Sequence, residues 1–430
     1  MMIFFKWLVI YVLTLEARLV LWRFKPRIVA ITGSVGKTTT KDAIYAALSR
    51  THAVRRSSKS LNSEIGVPLT ILGLASAWND PLSWLRNIIK GLSVVIGMVR
   101  YPKWLVLEIG ADRPGDIRTL ASWLKPEIAV ITGVPEMPVH VEFFSSPEAL
   151  MREKRSLAEY VPPHGRLVLN GDDLGMIEMC KEFEGMTLRY GFQRENHFSA
   201  THRGIVYEKG RPVGVRFRLL HEGASQTVAI HGALGKSQTY AALAAFTVAE
   251  IAGVDVASAA GALADWTPPQ GRMRILQGVN RSTIIDDTYN SSPAAALAAL
   301  DTLKEVIATR RMAVLGDMLE LGKLATEAHR NVGARAATCA DMLITVGFRS
   351  RATGEAALDT GMSESAIREY EQFESARAGE ELKSELREGD VVLIKGSQAM
   401  RMERAVKEIM AEPARAKEFL VRQEPEWLRR

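Results

Sequence analysis

The chain has 430 residues, 47% hydrophobic and 24% charged, the balance of a folded globular protein with room for about two or three domains. Its two cysteines, Cys180 and Cys339, stand far apart, which excludes a disulfide framework or a cysteine metal cluster and fits a reducing cytoplasm. A formal net charge of +6 suits anionic partners such as nucleotides, diphosphate-linked substrates or an anionic membrane surface, and no basic stripe with interleaved aromatics points to nucleic acid.

Residues 1–26 read as a hydrophobic N-terminal helix. Its apolar run is interrupted by Lys6, Glu16 and Arg18, which breaks the stretch of about 20 apolar residues that a spanning helix needs. No small-residue cleavage site follows, so a signal peptide is not expected. Trp7, Trp22, Lys6 and Arg23 suit a helix lying at the membrane interface; packing on the protein's own surface is the equal alternative.

Next comes Ile28-Val-Ala-Ile-Thr-Gly-Ser-Val-Gly-Lys-Thr-Thr-Thr40. A short apolar strand (Ile28–Ile31) leads into a turn through Gly33 and Gly36, and a helix is expected over Lys37–Ser49. Such a turn aims backbone N–H groups and a helix N-terminus at phosphate oxygens, with Lys37 reaching the β/γ-phosphates and Thr38 ligating Mg²⁺. The loop departs from GxxxxGKT, because Ile31 stands where the first Gly is usual.

Further strands are expected at Trp104–Ile109, Ile128–Ile131 and Arg166–Leu169, with helices at Gly115–Trp123, Pro147–Tyr160 and Lys236–Ala252. That alternation predicts a parallel sheet covered by helices. His197–Ile230 reads as a small antiparallel insertion. Pro268–Gly271 reads as a hinge, followed by strands at Arg274–Gln277, Thr283–Asp286, Arg311–Leu315, Met342–Val346 and Val391–Ile394. The expected division is 1–26, 27–267, 268–412 and a charged tail, 413–430, lying on the surface or mobile.

Ligands of open α/β sheets bind beyond the carboxyl ends of the strands, so Glu108 is expected to face the phosphate loop as a hard oxygen ligand for Mg²⁺. His140 also follows a strand end, where a structural and a ligand role are equally open. Lys154, in Met151-Arg-Glu-Lys-Arg155, reads by itself as a solvated helical lysine. Asp286–Asp287 admits two readings, a ligating carboxylate pair or a turn and cap cluster, and so does Gly316–Gly322.

The ordered segments ITGSVGKTTTKD, LNSEIGVPLT, LEIGADRPGDI, HVEFF, REKRSL, LVLNGDD, PPQGRMR, DDTYNSSP, LGDMLELG and LIKGSQAMRME resemble the Mur ligases, a resemblance that covers essentially Arg27 to Met410. The resemblance implies a central P-loop ATPase domain of α/β class and a C-terminal Rossmann-like α/β domain. It implies an ATP-dependent carboxylate–amine ligase that works through an acyl phosphate, adding D-alanyl-D-alanine to a peptidoglycan-precursor peptide. By the same resemblance, Gly33, Ser34, Val35, Gly36, Lys37, Thr38 and Thr39 bind the triphosphate. Thr38, Glu108, His140 and Lys154 serve two Mg²⁺ sites, Lys154 matching a lysine that is carbamylated in the family. Lys37, Lys154 and His140 carry the catalysis, and Asn62 lies near the substrate. Arg272, Asp287, Tyr289 and Asn290 bring the C-terminal part onto the nucleotide. Gln238 stands in Ser237-Gln-Thr-Tyr-Ala241, where the family's base-binding segment reads His-Asn-x-x-Asn.

Only the hydrophobic segment up to Pro26 precedes the phosphate loop, where the resembled enzymes carry a UDP-sugar-binding domain. The partners expected are therefore nucleotide and muropeptide-like small molecules, with peripheral membrane contact through residues 1–24 and a cytoplasmic, monomeric protein. Two alternatives stay open: a related ligase with a different carboxylate acceptor, and a non-catalytic ATP-binding module.

Overall fold

The computed structural model describes residues 2–58, 61–78, 80–134 and 141–429. Helix α1 (Met2–Phe24) leads directly into β1 (Arg27–Thr32), which continues through the phosphate loop into α2 (Lys37–Ser49). Then follow β2 (Val54–Arg56), α3 (Gly66–Leu72), α4 (Pro81–Val95), β3 (Trp104–Glu108), α5 (Asp116–Leu124) and β4 (Ile128–Ile131). After α6 (Pro147–Arg155) come β5 (Arg166–Asn170), α7 (Leu174–Met179), β6 (Met186–Gly191), β7 (Phe198–Glu208), β8 (Arg211–His221) and β9 (Ala224–His231). Helices α8 (Lys236–Ile251) and α9 (Val256–Ala264) complete this half.

These strands form one sheet in the order β2-β3-β1-β4-β5-β6-β7-β8-β9, parallel from β2 to β7 and antiparallel from β7 to β9. The antiparallel segment is therefore present, but it extends the main sheet instead of standing apart from it. Pairing of Tyr190 and Gly191 with Phe198 and Ser199 supplies the continuity, which no local pattern announces. Because β1 lies between β3 and β4, the loop after it opens at the switch point of the sheet, where neighbouring connections diverge.

Alternation along β1 sorts its side chains. Val29 and Ile31 enter the core beneath α2 and α8, whereas Ile28 and Ala30 pack with Val9, Leu13, Ala17 and Val20 of α1. Helix α1 thus uses one face to cover the sheet, and that face is the surface-packing alternative raised by its sequence. Strand β2 escapes sequence reading because Val54-Arg-Arg56 carries no apolar run.

The second sheet comprises β10 (Arg274–Gln277), β11 (Thr283–Asp287), β12 (Arg311–Gly316), β13 (Met342–Val346), β14 (Ile367–Tyr370) and β15 (Val391–Lys395). Its order is β10-β11-β15-β12-β13-β14, all parallel except β10. Helices α10 (Pro293–Glu305), α11 (Ala325–Ala337), α12 (Arg351–Asp359), α13 (Ser375–Lys383) and α14 (Glu403–Ile409) cover it. One apolar core runs from the α2–α8 layer to α10 and β12, joining the two sheets.

The charged tail is folded against the protein. Ala416 and Leu420 are buried, and the guanidinium of Arg422 reaches Glu403, from Nε to Oε2, at 3.2 Å. A second arginine, Arg401, donates to the other oxygen of Glu403 at 2.6 Å. Of the two expectations for the tail, surface-bound or mobile, the structure shows it bound, with Arg422 completing a buried Arg–Glu–Arg cluster that charge composition hides.

Candidate active site

The phosphate loop is shaped by two glycines. At Gly33, φ is +138° and an added Cβ would sit 2.1 Å from the Thr132 hydroxyl. Gly36 caps α2 in the left-handed region at φ +84°. Thr132 braces the turn by donating to the Val35 carbonyl at 2.6 Å, and Ser34 N–H donates to Gly133 O at 2.9 Å. The N-terminus of α2 is left facing the cavity.

Within the loop, Lys37 Nζ donates to Gly33 O at 2.7 Å. Burial lowers the pKa of this ammonium, while Glu108 opposes that shift. Thr38 Oγ1 donates to Glu108 Oε2 at 2.9 Å, Asn62 Nδ2 donates to Oε1 at 3.1 Å, and Arg272 reaches Thr38 Oγ1 at 3.4 Å. Four residues from four separate segments therefore converge on one carboxylate and one hydroxyl. Thr39 is buried behind the loop and touches the adjoining cavity.

Lys154 departs from its solvated reading. It is 2% exposed on α6, with a pKa lowered to about 7, first by burial and then by the like charge of Lys37. Its neighbour Glu153 accepts from Gly115 N and Ile117 N at 2.9 and 2.8 Å, clamping α6 to the start of α5. The charged run Met151–Arg155 looked solvated because Glu153 is spent on a helix N-terminus, a long-range contact. His140 lies outside the described residues.

From the segments that flank the second sheet, Arg272 stacks over the Tyr289 ring at 4.0 Å. Asp287 is held by Lys395 Nζ at 2.6 Å and accepts from Met273 N at 3.1 Å. Asn290 Oδ1 accepts from Gln398 N at 3.3 Å. Asp286 instead turns to Thr288, and Ser292 caps α10, which is the turn and cap reading of that cluster. Asp317 is structural: its carboxylate accepts from Ser350 N at 2.7 Å. Gln238 is fully buried; its amide donates to Arg272 O at 3.2 Å and is absent from the cavity wall.

Two adjoining cavities meet at the loop. One, of about 110 Å³, lies among the N-termini of α2, α8 and α10, bordered by Gly36, Lys236, Asp287 and Ser292. Three helix N-termini around one space favour an anionic ligand. The other, of about 650 Å³, is bordered by Lys37, Asn62, Glu108, Asp112, Arg401 and Trp427. Trp427 of the tail meets Trp78 edge-on, with ring centroids 6.2 Å apart. Asp112, Lys395, Arg401 and Trp427 were not singled out in the sequence, although Asp112 stands in LEIGADRPGDI and Lys395 and Arg401 in LIKGSQAMRME.

Residues 31–82 and 85–249 match the Mur ligase middle domain, and residues 271–398 match the Mur ligase glutamate ligase domain. The chain is 32% identical over 395 residues to the UDP-N-acetylmuramoyl-tripeptide–D-alanyl-D-alanine ligase of Mycobacterium tuberculosis, covering 86% of this chain and 70% of that one. It is 29% identical to the enzyme of the same name from Synechocystis, covering 91% and 76%. The structure of the MurF ligase of Thermotoga maritima in complex with ADP superposes with a TM-score of 0.77 at 25% identity, covering 93% and 83%. With its phosphate loop, its two joined sheets and these matches over most of its length, the chain belongs to the Mur ligase family.

Proposed function

We propose that this chain is an ATP-dependent carboxylate–amine ligase that adds D-alanyl-D-alanine to a peptidoglycan-precursor peptide through an acyl phosphate. The observation that carries this reading is the convergence of Lys37, Thr38, Glu108 and Asn62 with Arg272 from a segment that flanks the second sheet. The likeness to ligases named for that reaction supports it.

ATP would place its phosphates on the loop amides, where Lys37 exchanges the Gly33 carbonyl for a phosphate oxygen. The acceptor carboxylate and the γ-phosphate repel one another, and Lys37 and Arg272 reduce that repulsion. The Glu108 carboxylate and the Thr38 hydroxyl are hard oxygen donors that fit Mg²⁺. When bound there, Mg²⁺ would neutralise phosphate charge. Lys154 fits a second such site only after carbamylation: a buried amine with its pKa lowered to about 7 supplies the neutral nucleophile, whose nitrogen bonds to the carbon of CO₂ as one C=O π bond opens and a proton passes from the nitrogen to water. The product carries an anionic oxygen in place of an ammonium facing Lys37. His140 enters this proposal from the resemblance alone. Asn62 orients Glu108 beside the acceptor. Arg272 and Tyr289 close over the nucleotide with Asp287 and Asn290, and the docked tail shields the acyl phosphate from water.

The test is ADP release with D-alanyl-D-alanine and a series of UDP-muropeptides and simpler peptides. Acceptor-stimulated turnover is expected, and its absence throughout the series overturns the reading. The protein would act as a monomer at the cytoplasmic side, with α1 against the membrane. A different acceptor, anchored in that membrane, is the second reading, favoured by the exposed apolar side of α1.

A further inference from the structure

No helix among the described residues is long and apolar enough to cross a membrane. Yet among the described residues many of the exposed large apolar side chains lie on two helices side by side. Against the buried Val9, Leu13, Ala17 and Val20, the outer side of α1 presents Trp7, Leu8, Tyr11, Leu15, Leu19 and Trp22. Helix α4 presents a second stripe at helical spacing, Leu82, Leu85, Ile89 and Leu92, continued by Ile96; Leu82 is 74% exposed and Ile89 62%. The inner side of α4 is apolar too, with Trp84, Ile88 and Val94 against the core. Helix α4 is thus apolar on two sides, and among the described residues its outer stripe has no partner.

The two helices are closely joined and parallel. Glu16 lies against Gly91, where an added Cβ would sit 2.0 Å from Oε2, and Arg23 lies against Gly97. Charge around this face is predominantly positive. Arg18, Arg23, Lys25, Arg86, Lys90 and Arg100 are exposed, against only two acids in the described parts of 2–26 and 80–103. Glu16 is buried, and Asp80 caps α4 by accepting from Leu82 N.

We propose that the α1–α4 face docks flat on an anionic lipid leaflet. Apolar side chains would enter the acyl boundary, Trp7, Tyr11 and Trp22 would sit at headgroup depth, and the arginines and lysines would meet lipid phosphates. A second protein copy would have to carry acidic groups to match this rim, and the one exposed acid beside the described face, Asp80, is spent on capping α4. Orientation adds a consequence. Since α1 runs back along β1, the N-termini of both helices lie toward the carboxyl edge of the sheet, where the phosphate loop opens. Trp78, just ahead of α4, borders the cleft beside Trp427. A docked protein therefore holds the mouth of its cleft near the lipid surface. The proposal goes beyond the ligase reading and does not depend on it.

The experiment is co-sedimentation of the full chain with vesicles of phosphatidylcholine alone or mixed with phosphatidylglycerol. Binding to mixed vesicles is expected to be about tenfold tighter than to neutral ones and to weaken with salt. The pairs Leu85→Ser/Ile89→Ser and Arg86→Glu/Lys90→Glu should each lower it at least about tenfold while leaving the melting temperature unchanged, because all four side chains are exposed. Equal binding to both vesicle types, unaltered binding by both variants, or a solution dimer dissociated by Leu85→Ser/Ile89→Ser overturns the proposal. Vesicle binding is read without turnover, so its failure and that of the ligase reading are told apart.

Discussion

Two lysines illustrate how differently residues declare themselves. Lys37 was legible because its role follows from local chemistry, a turn with two glycines ahead of a helix. Lys154 was not, since burial on α6 depends on packing against α5 and on Glu153 being spent there. Replacing Lys154 with Ala is expected to lower kcat by about a hundredfold or more, the order seen when a transition-state charge partner is lost. It should also abolish a carbamate signal in ¹³C NMR after incubation with labelled bicarbonate. Full activity in the variant would remove the lysine from the mechanism. Gly33→Ala should lose nucleotide binding, measured by calorimetry, because φ of +138° and the Thr132 hydroxyl both reject a Cβ.

Asp286 yields a prediction of another kind. Burial raises its pKa from the usual carboxylate range to about 6. Between about pH 4 and 6 the folded state keeps a proton that the unfolded chain releases, so stability from this group falls as pH rises through that window. Asp286→Asn retains the acceptor for Thr288 and removes the charge. Its melting temperature should exceed that of the parent by about 2–4 °C at pH 8 and match it near pH 4. An equal shift at both pH values would refute this account.

At the scale of elements, strands with continuous apolar runs were visible in the sequence, and the exceptions share a cause. Strand β2 is short and basic. The terminal tail is charged, and its anchors, Leu420 and the Arg401–Glu403–Arg422 cluster, make sense only after distant segments meet. Arg422 also donates to the backbone carbonyls of Thr288 and Tyr289. Arg422→Ala leaves Glu403 with one cation and uncaps the end of β11, so a loss of about 3 kcal/mol is expected in denaturant unfolding. Because the same contacts position Tyr289, the KM for ATP should rise in this variant. A change in stability with an unaltered KM would show that the tail merely packs.

For the whole molecule, the alternation of strands and helices conveyed the class of both sheets, and the order of motifs conveyed their partnership. The joining of the antiparallel strands to the main sheet did not show, nor did the closeness of the two halves, since both arise from contacts across long stretches of chain. One of those contacts carries an optical consequence. Trp78 belongs to the helical layer of the first sheet and Trp427 to the tail of the second, and their rings stand nearly perpendicular at 6.2 Å. Two indoles that close couple their intense far-ultraviolet transitions, so the pair should give a far-ultraviolet dichroic couplet that vanishes in Trp427→Phe. Opening of the cleft separates the rings, which turns that couplet into a built-in gauge of closure, readable as nucleotide is added without attaching any label.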